Sequence, residues 1–157
     1  MATCTRQTLG MANKDLVPTV GAWVLENTHR ALLFATGGRW PQRLAGMPTL
    51  ELHVTGRSSG ERRSTLLTAP IIEDGTVVLV ASKGGHSDHP QWYKNLVVNP
   101  DVEITIDGVT EAMVARTATG DERAQLWERI TGEFSNYAGY QRNTDREIPV
   151  VVCEPAS

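Results

Sequence analysis

Several short segments of the chain either alternate between apolar and polar residues or are continuously apolar, and both patterns are typical of β-strands. Glu73-Asp74-Gly75 and Asp107-Gly108 are hairpin signals between neighbouring runs of this kind. Strands joined as hairpins predict an antiparallel sheet or small barrel, because a parallel sheet requires strands and helices to alternate regularly. The predicted strands are 49–55, 64–72, 76–82, 102–106, 111–116 and 148–153.

Other segments carry apolar residues at helical spacing instead. Residues 17–34 predict an amphipathic helix that ends at Gly37-Gly38, and further helices are predicted at 91–98 and 120–133. Residues 39–48 follow neither period and are interpreted as an irregular connector. We therefore divide the chain into a disordered tail (1–16), an N-terminal amphipathic helix with its connector (17–48) and a barrel domain (49–157).

Composition narrows the class of protein. A chain of 157 residues with 40% hydrophobic and 21% charged residues is ordinary for a globular protein with one core. The formal net charge of −3 argues against nucleic-acid binding, which usually needs a basic face. Cys4 and Cys153 lie near opposite ends and outside any paired-cysteine motif, which argues against a disulfide framework or zinc site.

The sequence also indicates where in the cell the protein is expected. It shows neither a secretory signal nor an apolar run long enough to span a bilayer, so we expect a cytoplasmic protein. Trp40, Arg39 and Arg43 follow the amphipathic helix and leave peripheral membrane contact open. Packing of that helix on its own domain explains the same pattern and is favoured. The sequence does not decide whether the chain forms a homodimer.

The segment from Thr55 to Arg63 has the composition of an anion-binding turn. Gly56 and Gly60 bracket Ser58 and Ser59, and Arg57, Arg62 and Arg63 lie close by. Glycines let backbone N–H groups turn inward, and guanidinium groups suit phosphates and carboxylates. Adjacent strand residues face opposite ways, so only one of Arg62 and Arg63 is expected to join Arg57. The spacing fits neither a P-loop nor a dinucleotide fingerprint, because a strand follows the turn.

Three more segments are candidates for binding. Ser82 and Lys83 end a strand in front of Gly84-Gly85, which allows close approach of a ligand. Trp92 and Tyr93 lie at a helix start, where they cover a flat ring or fill the core. Phe134, Tyr137 and Tyr140 line a pocket or pack against the barrel mouth. His86, Asp88 and His89 are a weak metal motif without a distant partner, and no metal is predicted.

Taken in order, several motifs resemble the deazaflavin-dependent nitroreductase family, which uses the reduced coenzyme F420. The resemblance covers about two-thirds of the chain, from Thr49 onward. It rests on Thr55-Gly56-Arg57-x-Ser59-Gly60-x-x-Arg63, Ala81-Ser82-Lys83-Gly84-Gly85, Pro90-x-Trp92-Tyr93-x-Asn95-Leu96-x-x-Asn99-Pro100, Thr144-Asp145-Arg146-x-Ile148-Pro149 and Val151-Val152-Cys153-Glu154-Pro155.

The resemblance implies a fold and a set of site residues. The fold is a mainly β, α+β, antiparallel split β-barrel of the FMN-binding type. Tyr137 and Ser82 are implied as catalytic hydrogen-bond donors. Thr68, Phe134, Tyr137 and Tyr140 are implied on the substrate side. The implied cofactor-binding residues are Arg57, Ser58, Ser59, Arg63, Ser64, Thr65, Leu66, Leu67, Thr68, Val80, Ala81, Ser82, Lys83, Gln91, Trp92, Tyr93, Lys94, Asn95 and Tyr137.

The implied activity is hydride transfer from F420H2 to a small electron-poor acceptor, namely a quinone, an activated alkene or a nitroaromatic compound. Thr68 and Phe134 stand where the namesake nitroreductase has substrate-side tyrosines, which argues against bulky nitroimidazole substrates. Two alternatives stay open. A single phosphate of FMN would fit the same turn, which would make the protein an FMN-dependent oxidoreductase. The chain could also be a non-catalytic F420-binding carrier.

Overall fold

The computed structural model describes residues 43–157. The predicted tail at 1–16 and the predicted helix at 17–34 lie outside the described residues, as does the first part of the connector. The connector's described part is not irregular. Its chain forms a tight hairpin, in which Arg43 pairs with Pro48 and Leu44 with Met47.

Eight strands, three α-helices and one 3₁₀ turn occur in the described part of the chain. The strands are β1 (Arg43–Leu44), β2 (Met47–Thr55), β3 (Arg62–Thr68), β4 (Ile71–Glu73), β5 (Thr76–Val80), β6 (Asp101–Ile106), β7 (Val109–Thr117) and β8 (Val150–Pro155). The helices are α1 (Gln91–Val98), α2 (Gly120–Glu133) and α3 (Asn136–Arg142), and the 3₁₀ turn is Lys83–Gly85.

Each strand pairing is antiparallel, as the hairpin signals predict. The strand order is β1-β2-β6-β7-β8-β5-β4. Strand β3 lies outside this order and pairs with β2. The two predicted hairpin turns are confirmed, because Asp74 and Gly75 have φ of 50° and 78°, and Asp107 and Gly108 have φ of 50° and 82°. Positive φ at both central residues matches the twist of the flanking strands.

The predicted strand at 64–72 is two strands with different partners. β3 pairs with β2, whereas β4 pairs with β5 at the far end of the sheet. The break falls at Ala69 and Pro70, where proline lacks the N–H group that a strand needs. Ala69 N still donates to Pro48 O at 3.0 Å, so the chain leaves β2 only after that bond. Since one short link joins the two ends of the sheet, the sheet curls into a half-barrel.

Both faces of the central strands are covered. Val151 and Cys153 of β8 point into the barrel, whereas Val150 and Val152 point toward the helices. Trp92 and Leu96 of α1 pack into the barrel core with Leu50, Leu52 and Val54 of β2. On the other face, Ile130 of α2 and Tyr137 of α3 pack with Met47, Val78, Val80 and Ile148. This double cover explains why β8 reads as a continuous apolar run.

The predicted helices at 91–98 and 120–133 are confirmed. Helix α3 is not predicted by the sequence, because seven residues with an internal glycine have little helix propensity of their own. Burial of Tyr137 against the sheet supplies the stabilisation instead. No helix among residues 43–157 is long and apolar enough to cross a membrane.

Candidate functional site

The β2–β3 tip is a closed turn. Gly56 N donates to Glu61 O and Gly60 N donates to Gly56 O, each at 2.8 Å. A Cβ atom on Gly56 would lie 2.7 Å from Ser59 Oγ, and Gly60 has φ of +71°. The two glycines are therefore required by close packing and by left-handed backbone, respectively. They hold Arg57, Ser58 and Ser59 at an exposed tip.

Arg57 ties this tip to helix α1. Its backbone N and its Nη1 donate to Asn95 Oδ1 at 3.2 and 2.9 Å, and its Nη2 donates to Gln91 Oε1 at 3.0 Å. Asn95 is buried, so the first of these partners is fixed in place. Both partners are neutral amides, which orient the guanidinium without cancelling its charge. The structure thus brings together three residues of the predicted cofactor site that are far apart in sequence.

The two neighbouring arginines face opposite ways, as expected for adjacent strand residues. Arg62 lies opposite Thr55 and binds Glu103 of β6 at 2.6 Å, so its side chain reaches across β2. Arg63 lies opposite Val54 and binds Glu61 at 2.9 Å. The Arg63 side chain is 60% exposed, and its Cγ would lie 3.8 Å from a Cβ on Gly56. An exposed ion pair of this kind contributes little to stability, so Glu61 holds Arg63 only weakly.

Strand β3 offers both a face and an edge. Ser64, Leu66 and Thr68 lie opposite His53, Glu51 and Thr49, on the face that points away from the barrel core. Thr65 and Leu67 lie on the barrel side, where Leu67 packs against the core. Within residues 43–157, β3 pairs only with β2. Among the described residues, its second edge therefore carries backbone N–H and C=O groups without a strand partner.

Arg146 holds the loop that follows β5. Its Nη2 donates to Ser82 O at 2.8 Å and to Ala81 O at 3.2 Å, and its Nε donates to His86 O at 2.8 Å. Its Nη1 lies 3.1 Å from His89 Nδ1. Burial lowers the pKa of Arg146 from its usual value. The motif containing Arg146 is visible in the sequence, but its position after α3 gives no sign that it binds this distant loop.

Three consecutive residues of the same loop have left-handed backbone torsion angles. Lys83, Gly84 and Gly85 have φ of 46°, 63° and 81°. Positive φ at a lysine is uncommon and suggests that the surroundings impose it. A Cβ on Gly85 would lie 2.6 Å from Tyr140 O and 2.9 Å from Asn143 Cβ, so the loop packs tightly against the end of α3. The predicted ligands Ser82 and Lys83 are thereby placed beside the helix that carries Tyr137.

The residues of the weak metal motif form a hydrogen-bonded loop. Asp88 N donates to His86 Nδ1 at 3.0 Å, and Lys94 Nζ binds Asp88 Oδ2 at 2.7 Å. The Lys94 hydrogen bond holds the pKa of the Asp88 carboxyl below its usual value. Burial and the neighbouring Arg146 charge lower the pKa of His89. Residues 43–157 contain no group of three His, Cys, Asp or Glu side chains placed to share a metal ion.

Tyr137 lies under the β1–β2 hairpin. It is 5% exposed, and its hydroxyl lies 3.5 Å from Met47 Sδ. Burial raises the pKa of the phenol, and a hydrogen bond with Thr68 acts in the opposite direction. The ring makes an edge contact with Tyr140, at 6.0 Å between centroids. Phe134 packs on the same cluster, so the structure brings together the four predicted substrate-side residues Thr68, Phe134, Tyr137 and Tyr140.

The aromatic residues at the start of α1 have separate roles. Trp92 is 9% exposed and belongs to the barrel core, which favours the packing interpretation for this residue. Tyr93 is partly buried, and its hydroxyl lies 3.0 Å from Thr117 Oγ1. A cavity of about 160 Å³ lies beside the β6–β7 hairpin and includes none of the predicted site residues. The candidate site is therefore an open surface around the β2–β3 tip, the 81–89 loop and helices α1 and α3.

The family profile and the related sequences indicate the same family. The sequence profile of the F420H(2)-dependent quinone reductase family matches residues 25–155. An F420H(2)-dependent quinone reductase of Mycobacterium tuberculosis is 40% identical over 129 residues, which cover 79% of this chain and 85% of the relative.

Two solved structures are similar to this chain in both sequence and fold. One is the F420-H2 dependent reductase FDR-A, with a TM-score of 0.62 and 37% identity over 68% of this chain and 94% of that chain. The other is described as a domain-swapped dimer, with a TM-score of 0.64 and 35% identity over 86% of this chain and 99% of that chain.

The curled antiparallel sheet with its three helices is an α+β split β-barrel, which confirms the predicted fold class. The chain belongs to the F420H(2)-dependent quinone reductase family. The resemblance to the deazaflavin-dependent reductases that use F420 is thus confirmed.

Proposed function

We propose that this protein is an F420H2-dependent oxidoreductase that transfers hydride from the reduced deazaflavin to a quinone. Family membership supports the activity and the cofactor. The observation that carries the proposal is the placement of Arg57, whose charge is oriented by the neutral side chains of Asn95 and Gln91. An oriented, uncompensated guanidinium at a glycine turn is suited to an anionic group.

The chemistry of the donors fits the cofactor. The tail of F420 carries a phosphodiester and glutamates, and the exposed tip offers Arg57, Arg63, Ser58 and Ser59 on a chain of net charge −3. We propose that these residues hold the tail, with Lys83 nearby. The other proposed cofactor contacts are the edge strand (Ser64, Thr65, Leu66, Leu67 and Thr68), the end of β5 (Val80, Ala81 and Ser82) and the start of α1 (Gln91, Trp92, Tyr93, Lys94 and Asn95).

When bound, F420H2 supplies the hydride, so the protein must orient the acceptor, exclude water and stabilise developing negative charge. Tyr137 is suited to the last task because its burial keeps the phenol protonated. Ser82 is held by Arg146 through its backbone, which leaves its hydroxyl free to act as a second donor. We propose Tyr137 and Ser82 as catalytic donors, with Thr68, Phe134 and Tyr140 contacting the quinone.

A titration and a turnover assay test this function. We expect the fluorescence of F420 to be quenched at micromolar protein, and F420H2 to be oxidised when menadione is added. Absence of F420 binding would overturn the proposal. Binding without turnover of menadione would favour the carrier. Purified protein that is yellow and retains FMN through gel filtration would favour the flavin alternative.

We further propose that the protein self-associates, supported by the similar structure that is described as a domain-swapped dimer. Light scattering during gel filtration would test this, with a mass near 17.2 kDa contradicting it. Peripheral membrane contact through the N-terminal helix and connector (17–48) stays a prediction. Sedimentation with anionic vesicles would test it.

A further inference from the structure

A buried histidine lies directly beside the proposed cofactor strand. His53 on β2 is 7% exposed and is flanked by Ser64 of β3 and Glu103 of β6. The Arg62–Glu103 ion pair reaches across β2 on this side and helps to cover the imidazole. The motifs of the resemblance do not include His53, and sequence reasoning alone assigned it no role.

His53 is the centre of a chain of hydroxyl groups. Its Nδ1 lies 2.7 Å from Ser64 Oγ, and its Nε2 lies 2.9 Å from Thr105 Oγ1. Thr105 Oγ1 in turn lies 2.7 Å from Thr110 Oγ1. Ser64 is the exposed end of this chain near the tip, one residue from Arg63. We call Thr110, Thr105, His53 and Ser64 the hydroxyl relay.

A neutral imidazole donates from one nitrogen and accepts at the other, so the relay has two self-consistent directions. If Nδ1 carries the proton, Ser64 accepts from His53 and its own O–H is free to donate outward. Thr105 then donates to Nε2, and Thr110 donates to Thr105. If Nε2 carries the proton, the direction of each hydrogen bond reverses. Ser64 then donates its only hydroxyl proton to His53 Nδ1.

We propose that His53 is a positioning residue for the anionic part of F420: it holds its proton on Nδ1 and thereby makes Ser64 a hydrogen-bond donor to the cofactor. The inference rests on the proposed function and adds a specific role for residues within it. An anion at the β3 edge accepts hydrogen bonds only, so it favours the relay direction in which Ser64 points its proton outward. Aligned hydrogen bonds also polarise one another, which strengthens the last donor of the chain.

The tautomer of His53 is directly measurable. With ¹⁵N-labelled protein, long-range ¹H–¹⁵N spectra distinguish a protonated from an unprotonated ring nitrogen, and the His53→Asn variant assigns the signal among four histidines. In the complex with F420 we expect the proton on Nδ1. A complex in which Nδ1 of His53 is unprotonated would overturn the inference, whatever the activity.

A set of variants tests the same relay through affinity. We expect Ser64→Ala and His53→Leu each to raise the Kd for F420 by about three- to tenfold, the range for one lost hydrogen bond. His53→Asn keeps a donor near the Nδ1 position and should recover most of the affinity. The double variant His53→Leu with Ser64→Ala should bind like Ser64→Ala alone, because both changes remove the same interaction.

Controls separate a local effect from misfolding. Thr131→Val removes a hydroxyl that bonds within α2 to Trp127 O, far from the relay, and should leave the Kd within about twofold of the wild type. Circular dichroism and thermal unfolding test whether the His53 variants are folded. If His53→Leu is not folded, the ring-nitrogen measurement and the affinity of Ser64→Ala test the inference. Additive effects in the double variant, or wild-type affinity in all of them, would contradict the inference alone. Failure of the wild-type protein to bind F420 would instead contradict the proposed function.

Discussion

The guanidinium of Arg57 donates to the buried side-chain carbonyl of Asn95 over 2.9 Å, which joins the β2–β3 tip to helix α1. The backbone N of the same arginine donates to the same oxygen at 3.2 Å. One amide oxygen therefore fixes both the turn and the side chain that it presents. An anion that meets Arg57 finds the charge already oriented, so less conformational entropy is lost on binding.

Replacing Arg57 with alanine should weaken F420 binding strongly. A charge-assisted hydrogen bond contributes about 1.5–3 kcal/mol, so we expect the Kd to rise by roughly 10- to 150-fold in a fluorescence titration. Arg129→Ala is a matched control, because it removes an exposed arginine that pairs with Glu73 away from the tip. Equal affinity of the Arg57 variant and this control would contradict the proposed tail site.

A structural feature could be predicted from the sequence where residues close together in the chain cause it. Hairpin turns at Asp74-Gly75 and Asp107-Gly108 follow from residue chemistry and are predicted correctly. The tip with Arg57 is also readable, because glycines, hydroxyls and arginines are adjacent in sequence. The sequence does not predict which side chains of α1 contact that tip. Asn95 contacts Arg57 because the sheet curls and brings α1 to the tip.

Where the structure differs from the sequence-based predictions, the cause is a contact between residues that are distant in the chain. The sequence at 64–72 predicts one strand, and the change of pairing partner at Pro70 divides it into two. Helix α3 has no periodic signal and is stabilised by contacts of Tyr137 with β1–β2 and the sheet. Arg146 binds the carbonyls of Ala81 and Ser82 from more than sixty positions away. Such a contact follows from the topology and not from any motif.

Replacing Arg146 with lysine should disturb the loop that presents Ser82 and Lys83. A lysine keeps the charge but cannot donate in the directions of Ala81 O, Ser82 O and His86 O at once. We expect a rise in KM for F420H2 of about tenfold, with a smaller change in the KM for menadione. Hydrogen exchange at residues 81–89 should become faster. Unchanged exchange in this loop would contradict the positioning role.

Gly85→Ala should destabilise the protein far more than its backbone conformation requires. Gly85 and Gly108 have φ of +81° and +82°, but a Cβ on Gly85 would lie 2.6 Å from Tyr140 O, whereas nothing lies within 4 Å of one on Gly108. Gly108→Ala should cost about 1–2 kcal/mol for the left-handed backbone alone. Gly85→Ala adds a clash of about 1–3 kcal/mol. Urea unfolding of both variants measures the difference, and equal losses would contradict tight packing of the loop on α3.

Tyr137→Phe should lower turnover without affecting cofactor affinity. Loss of one donor to developing negative charge lowers rates by roughly 100-fold or more, while the Kd for F420 should stay within about twofold. Because burial raises the pKa of the phenol above its usual value, Tyr137 keeps its proton at neutral and mildly alkaline pH. Single-turnover oxidation of F420H2 by menadione should therefore show no loss from this group between about pH 7 and 9. A rate near that of the wild type would remove Tyr137 from the proposed catalytic donors.

Cys153 should make the protein less stable in alkali. Burial in the barrel core raises the pKa of its thiol from 9.0 to about 12. The unfolded chain loses this proton first, so the contribution to stability is constant well below pH 9 and falls between pH 9 and 12, with a slope that approaches about 1.4 kcal/mol per pH unit. In Cys153→Val this slope is absent. Urea unfolding at pH 8, 9 and 10 should thus show the stability of the variant rising relative to that of the wild type by about 1 kcal/mol between pH 9 and 10, and parallel pH profiles would contradict a buried, protonated thiol.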